Sequence, residues 1–178
     1  MSSIEYEAKH LNIDAPAMAA RIAEAGGAHL GAHLLRRYVY DTVPAASGRW
    51  IRLRDTGRTV TLCVKEIASD EIDGTRETET TVGDFDTTHA LLGRIGIPPR
   101  SYQENRRDSW LLDGVRLEID SWPRIPPYLE IEGDSAEEVW AAAKRLFIPR
   151  DQLTSENTTK VFLRYGIDLG SIDDLRFS

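Results

Sequence analysis

The sequence predicts an α+β protein, mostly antiparallel strand with helices set between the strand groups. Three observations carry this expectation. Charged residues recur at alternate positions in strand-like segments, as in Glu5-x-Glu7-x-Lys9, Arg52-x-Arg54, Glu77-x-Glu79, Glu118-x-Asp120 and Glu130-x-Glu132. Tight-turn signals at Gly57 and Asp113-Gly114 join neighbouring strand-like segments as hairpins do. Helix starts and stops, such as Asp14-Ala15-Pro16 with Gly26-Gly27, fall between those segments.

Taken in order, a first strand covers Ile4 to Lys9, and a helix runs from Pro16 through Ala-rich sequence to a glycine stop at Gly26 or Gly27. A second strand spans Leu34 to Asp41, with a turn near Pro44 to Gly48. A hairpin of Arg49 to Asp55 and Thr59 to Glu66 follows, and Ile67 to Gly74 is polar and acidic, a loop. The strand Thr75 to Val82 leads to a helix that starts near Asp84 or Thr87 and stops at Gly96, ahead of Pro98-Pro99. Three strands succeed one another: Tyr102 to Leu112, Gly114 to Ser121 and Tyr128 to Gly133. Ser135-Ala136-Glu137-Glu138 forms a capping box for a helix with Val139, Ala142, Ala143, Leu146 and Phe147 on its apolar stripe, ending before Pro149. A last helix covers Glu156 to Tyr165 and stops at Gly166.

The 178 residues suit one domain over 1–178, large enough to bury a core and, if strands dominate, to close a barrel. A net charge of −7 argues against a broad attraction to nucleic acid or anionic membrane, so any anion site must be local. The single cysteine, Cys63, excludes an internal disulfide framework. The start Met1-Ser2-Ser3 lacks a secretory pattern, and no apolar run reaches the roughly 20 residues of a membrane span; a cytoplasmic location is the expectation.

Two readings of the charged alternation compete. Solvated outer faces would suffice for any one strand. The number of pairs and their sorting by sign favour inward faces on a shared polar cavity, with acids for divalent metal and bases for a polyanion. Other motifs carry less. His29 and His33 have the i, i+4 spacing of a helical zinc pair but no third ligand pattern nearby, so they read as surface or packing residues. Cys63 reads as a buried small apolar residue that shares strand parity with Lys65, and the tryptophans, including Trp50 and Trp110, as core or helix-facing packing.

Assembled, these residues resemble the CYTH superfamily, the triphosphate tunnel metalloenzymes, from Ile4 to about Gly166. The Glu5-x-Glu7-x-Lys9 strand matches the family hallmark. Trp50-Ile51-Arg52-Leu53-Arg54 looks like its Arg-x-Arg strand, Thr61 to Lys65 like the strand ending in lysine, and Arg76-Glu77-Thr78-Glu79 like the next, with its register open. In Asn105-Arg106-Arg107-Asp108-Ser109-Trp110, Arg107 stands at the family's arginine and Asn105 where a lysine is often found. Leu117 to Asp120 and Tyr128 to Gly133 match the final acidic strands, although Trp122 to Pro127 replaces the usual glycine turn between them.

The resemblance implies an antiparallel β-barrel, the triphosphate tunnel, with amphipathic helices packed outside. It implies Mg²⁺ or Mn²⁺ held by Glu5, Glu7, Glu79, Asp120, Glu130 and Glu132. Substrate would be bound by Lys9, Arg52, Arg54, Lys65, Arg107 and Lys160, with Glu5, Glu7 and Lys65 catalytic. The implied activity is metal-dependent hydrolysis of a small triphosphate: inorganic triphosphate, thiamine triphosphate or a nucleoside triphosphate. A class IV adenylyl cyclase, making cyclic AMP and pyrophosphate from ATP, is the alternative, and a non-catalytic polyphosphate or nucleotide sensor the second. The partner is then a small triphosphate, not nucleic acid or membrane, and a homodimer is compatible with it.

Overall fold

The computed structural model describes residues 3–178. Eight strands, β1 (Ser3–His10), β2 (Ala28–Asp41), β3 (Arg49–Asp55), β4 (Val60–Ile67), β5 (Thr75–Val82), β6 (Pro99–Leu112), β7 (Val115–Ser121) and β8 (Tyr128–Gly133), form an antiparallel barrel. They pair in the order β6, β2, β3, β4, β5, β1, β8, β7, and β7 returns to β6, so the barrel closes and leaves no long edge. Two short strands add to it. β9 (Leu153–Thr154) pairs with β1, and β10 (Asp174–Leu175) lies parallel to β6.

Four helices pack outside the barrel: α1 (Ala15–Glu24), α2 (Phe85–Arg94), α3 (Ala136–Arg145) and α4 (Thr158–Arg164). Each begins where a side chain satisfies a backbone N–H that the helix leaves unpaired. Asp14 accepts from Ala17 N at 2.8 Å, Asp84 from Thr87 N at 2.7 Å, Ser135 from Glu138 N at 3.3 Å and Asn157 from Lys160 N at 3.0 Å. Glu138 closes the capping box by accepting from Asp134 N at 2.9 Å, one residue before the cap.

Strand parity separates core from cavity. Ala8, Leu117, Ile119, Leu129 and Ile131 point out of the barrel and are buried against Met18 and Ile22 of α1 and Val139, Ala142 and Ala143 of α3. Tyr40 and Leu53 do the same against Phe85 and Leu92 of α2. At about 1.5–3 kcal/mol per fully buried aliphatic side chain, this shell supplies the barrel's main support. A third cluster joins Trp122 and Tyr128 to Val161 and Phe162 of α4, Leu169 and Leu175.

Several sequence expectations need correction. β2 starts at Ala28 rather than Leu34, because a bulge between His29 and Gly31, with Gly31 at φ 126°, breaks the alternation that marks a strand. The bulge also changes parity, so His29 and His33 lie in a strand on opposite faces: His29 meets Asp108 at 2.6 Å outside, and His33 faces the interior. β6 begins at Pro99, three residues early. Phe147 is not on the apolar stripe: α3 stops at Arg145, the chain takes a left-handed turn at Phe147 (φ 54°), and the ring is 86% exposed. The last helix is confined to Thr158–Arg164 because Asn157, not Glu156, supplies its cap.

Candidate functional site

The barrel encloses a cavity of about 1000 Å³ whose lining follows from parity. β1 aims Glu5, Glu7 and Lys9 inward, β7 Glu118 and Asp120, and β8 Tyr128, Glu130 and Glu132. On the other side β2 contributes Arg37 and β3 contributes Trp50, Arg52 and Arg54. In the circular strand order, β2 and β3 stand across the barrel from β1 and β8, so an arginine wall faces a carboxylate wall. Lys65 of β4, Glu77 and Glu79 of β5 and Arg107 of β6 lie on the sides between them.

The carboxylate wall is only partly neutralised. Lys9 is buried, 2.9 Å from Glu7 and 3.3 Å from Glu130. Burial opposes its charge, but the two glutamates outweigh that and hold the ammonium above its ordinary range. Arg107 makes a two-pronged contact with Asp120 (2.8 and 2.6 Å) and reaches Glu130 at 3.0 Å. Despite its burial, Glu130 is therefore held below the usual carboxylate range by Lys9 and Arg107.

Two acids lack such help. Glu132 stands directly opposite Glu7 in the β1–β8 register, and burial and Glu130 push its carboxyl up. Glu118 stands opposite Glu130; burial raises its carboxyl, and its buried Oε2 has no hydrogen-bond partner among the described residues.

Between the walls, the Lys65 ammonium lies 2.8 Å from Glu5 and 3.2 Å from Glu77. Burial and a hydrogen bond to Glu77 raise the Glu5 carboxyl to about 8, against the pull of Lys65. Glu77 is held low, because the hydrogen bond from Glu5, Lys65 and Arg52 together outweigh its burial. Arg52 donates to Glu77 at 2.8 Å and to Glu79 at 3.3 Å, and Arg54 lies 3.6 Å from Glu79. Burial, Arg52 and Arg107 lower Arg54 to about 10. Cys63 sits on this inner face, where burial pushes its thiol up to about 12. Cys63, Glu77 and Glu79 each bring a ligand atom within 4.8 Å of the others, but Arg52 already occupies the two carboxylates as a counter-charge.

Eleven of the twelve residues singled out from the sequence thus line one cavity: Glu5, Glu7, Lys9, Arg52, Arg54, Lys65, Glu79, Arg107, Asp120, Glu130 and Glu132. Lys160 is placed elsewhere. Its ammonium, on α4, bonds Asp70 in the β4–β5 connection and does not join the lining. Glu77 and Glu118 are on the walls by the same parity that marked Glu79 and Asp120, so their alternating pairs already signalled them. Arg37 was missed because it sits in the Arg36-Arg37 doublet between the apolar Leu35 and Val39. Trp50 lines the cavity rather than the core, sharing a face with Arg52 and Arg54. Trp122 also lines it, beneath the Arg37 guanidinium at 4.6 Å, whereas Trp110 and Trp140 pack against the outer core.

The sequence profile of the CYTH domain matches residues 3–161. Several solved structures share the fold. The PH1012 protein of Pyrococcus horikoshii superposes with a TM-score of 0.74 at 20% identity, covering 86% of this chain and 96% of that one. A Vibrio parahaemolyticus protein named a candidate adenylate cyclase gives 0.74 at 15% identity, covering 92% and 99%. A Hippeastrum candidate adenylyl cyclase, for which a dominant triphosphatase activity is described, gives 0.57 at 18% identity, covering 97% and 100%. At these identities the likeness concerns the fold. Comparison with curated proteins gives no match by sequence.

Proposed function

For a chain that belongs to the CYTH domain family, as this one does, we propose metal-dependent hydrolysis of a small triphosphate inside the barrel. One observation carries the reading: an arginine wall faces a carboxylate wall across an enclosed cavity. A linear triphosphate needs cations along its length, and a divalent metal needs hard oxygen donors beside it. Hydrolysis uses only those charges, whereas cyclisation also needs a pocket that orients adenine and ribose.

The family implies a divalent cation, and the donor set fits Mg²⁺ or Mn²⁺. Glu132 and Glu118 are carboxyls raised by burial, with no cation at ion-pair distance among the described residues, and Glu7 lies opposite Glu132, an arrangement of like charges that calls for a cation. Glu7 and Glu132 would hold it, with Glu5, Asp120 and Glu130 completing the acidic wall directly or through water. Glu79 is turned toward Arg52 and Arg54, as Asp120 and Glu130 are toward Arg107, and would reach the cation only by giving up those contacts. The chemistry such a cation supplies is neutralisation and alignment of phosphate oxygens.

The chain's own groups do the rest. Lys9, Arg52, Arg54 and Arg107 hold phosphoryl oxygens, with the guanidiniums suited to paired contacts. Lys65 offsets charge that develops on the transferred group. Glu5, once deprotonated, can accept the proton of a water attacking the terminal phosphorus as the bridging P–O bond breaks, giving phosphate and pyrophosphate from inorganic triphosphate. The test is a product assay in Mg²⁺ or Mn²⁺ on inorganic triphosphate, thiamine triphosphate and ATP. Phosphate release without cyclic AMP is expected. Cyclic AMP with pyrophosphate as the main products overturns the proposal, as does tight triphosphate binding with no turnover, the behaviour of a sensor.

A further inference from the structure

Asn105 on β6 is fully buried and neutral, and a cation reaches it from the neighbouring strand. Arg37, on β2, donates to the Asn105 side-chain oxygen, and Asn105 in turn donates to Asp120 at 2.9 Å. We propose that Arg37 is a substrate-binding residue, a guanidinium that holds one phosphoryl group of the triphosphate from the arginine wall, beside the neutral Asn105. The inference deepens the proposed function and rests on it.

Arg37 differs from every other cation around it. Lys9, Arg52, Arg54, Lys65 and Arg107 each have a carboxylate within ion-pair distance, and Arg37 has none among the described residues. It is nonetheless only 8% exposed, lies over the Trp122 ring, and leaves a buried Nε without a partner. Burial and the three guanidiniums of Arg52, Arg54 and Arg107 lower it to about 9, with Asp120 a partial offset, so it remains charged at neutral pH. A buried cation without a counter-ion is costly, and four converging guanidiniums multiply the cost. An anion bound among them removes it. A purely structural residue over Trp122 would need no charge, because an apolar side chain of the same length could cover the ring.

The experiment measures binding of imidotriphosphate, with both bridging oxygens of the triphosphate replaced by nitrogen so that it resists hydrolysis, by titration calorimetry in Mg²⁺, together with the melting temperature with and without that ligand. Arg37→Met should lose roughly ten- to hundredfold in affinity, the range for one charge-assisted contact. Its ligand-free melting temperature should rise, since an uncompensated buried charge has gone, while the ligand-induced shift shrinks. Adding Asn105→Lys to Arg37→Met returns a cation to the same place and should restore most of the affinity. Should Arg37→Met fail to fold, Arg37→Gln keeps a partner for Asn105 but no charge, and the same affinity loss is expected. Wild-type affinity in Arg37→Gln overturns the role of Arg37 and leaves the proposed function standing. Lower ligand-free stability of Arg37→Met with an unchanged ligand shift also overturns it. If the wild-type protein binds no imidotriphosphate, the proposed function itself fails, and the role of Arg37 with it.

Discussion

Replacing Glu5 by glutamine isolates a proton that the folded barrel holds and the unfolded chain does not. The Glu5 carboxyl lies at about 8 in the folded protein against an ordinary 4.5, through burial and its hydrogen bond to Glu77. Between those two values the native state carries a proton that the unfolded state has released, so metal-free stability falls as pH rises through the window. At about 1.4 kcal/mol per pKa unit, the whole span amounts to at most about 5 kcal/mol. With a urea dependence of about 2 kcal/mol per molar, the denaturation midpoint should fall by up to roughly 2 M between pH 5 and pH 8.5 in EDTA. Glu5→Gln places a neutral donor beside Glu77 and should flatten that slope. Mg²⁺ should stabilise the wild-type protein more at pH 8 than at pH 5, because cation and proton compete for one carboxylate. A slope that persists in Glu5→Gln, or a wild-type midpoint indifferent to pH, refutes the shared proton between Glu5 and Glu77.

Glu130→Gln should cut metal-dependent turnover at least about tenfold. Lys9 and Arg107 keep Glu7 and Asp120 as second partners, so the stability cost should be about 1–3 kcal/mol, below that of a fully broken buried pair, with the circular dichroism spectrum unchanged. Arg52→Ala should lower kcat/KM by about ten- to hundredfold, mainly through a higher KM, in steady-state assays on inorganic triphosphate. Lys160→Ala should leave imidotriphosphate affinity unchanged and shift stability by less than about 1 kcal/mol, because its ion pair with Asp70 is on the exterior; a clear loss of affinity would place that ammonium in the tunnel.

The period-two pattern in the sequence conveyed most of the barrel and its charged interior, because a strand with one apolar and one polar face has a single register that hides the apolar side. Helix boundaries were legible where a side chain caps them, as at Asp14, Asp84 and Ser135. Three misplacements share a cause. His29, Phe147 and the start of β2 depend on a bulge or a left-handed residue, which shift phase without any change in composition. Arg37 needed knowledge of which of two adjacent arginines faces inward, a fact set by the pairing of β2 with β3 and β6. Lys160 depended on where α4 lies against the β4–β5 connection, which no local pattern encodes.

The division of labour by parity has a consequence for how such a chain can change. In β1, Glu5, Glu7 and Lys9 serve the cavity, while Tyr6 and Ala8 serve the outer core. Inserting or deleting one residue within that strand would exchange the two sets, turning apolar side chains into the charged cavity and pressing charges against the helices. Substitutions can therefore retune the tunnel while the outer shell holds the barrel, but changes of length are confined to turns and to places that already tolerate a phase slip. Gly31 in β2 marks one such place, at the end of the barrel wall where Leu30 faces inward and His29 does not.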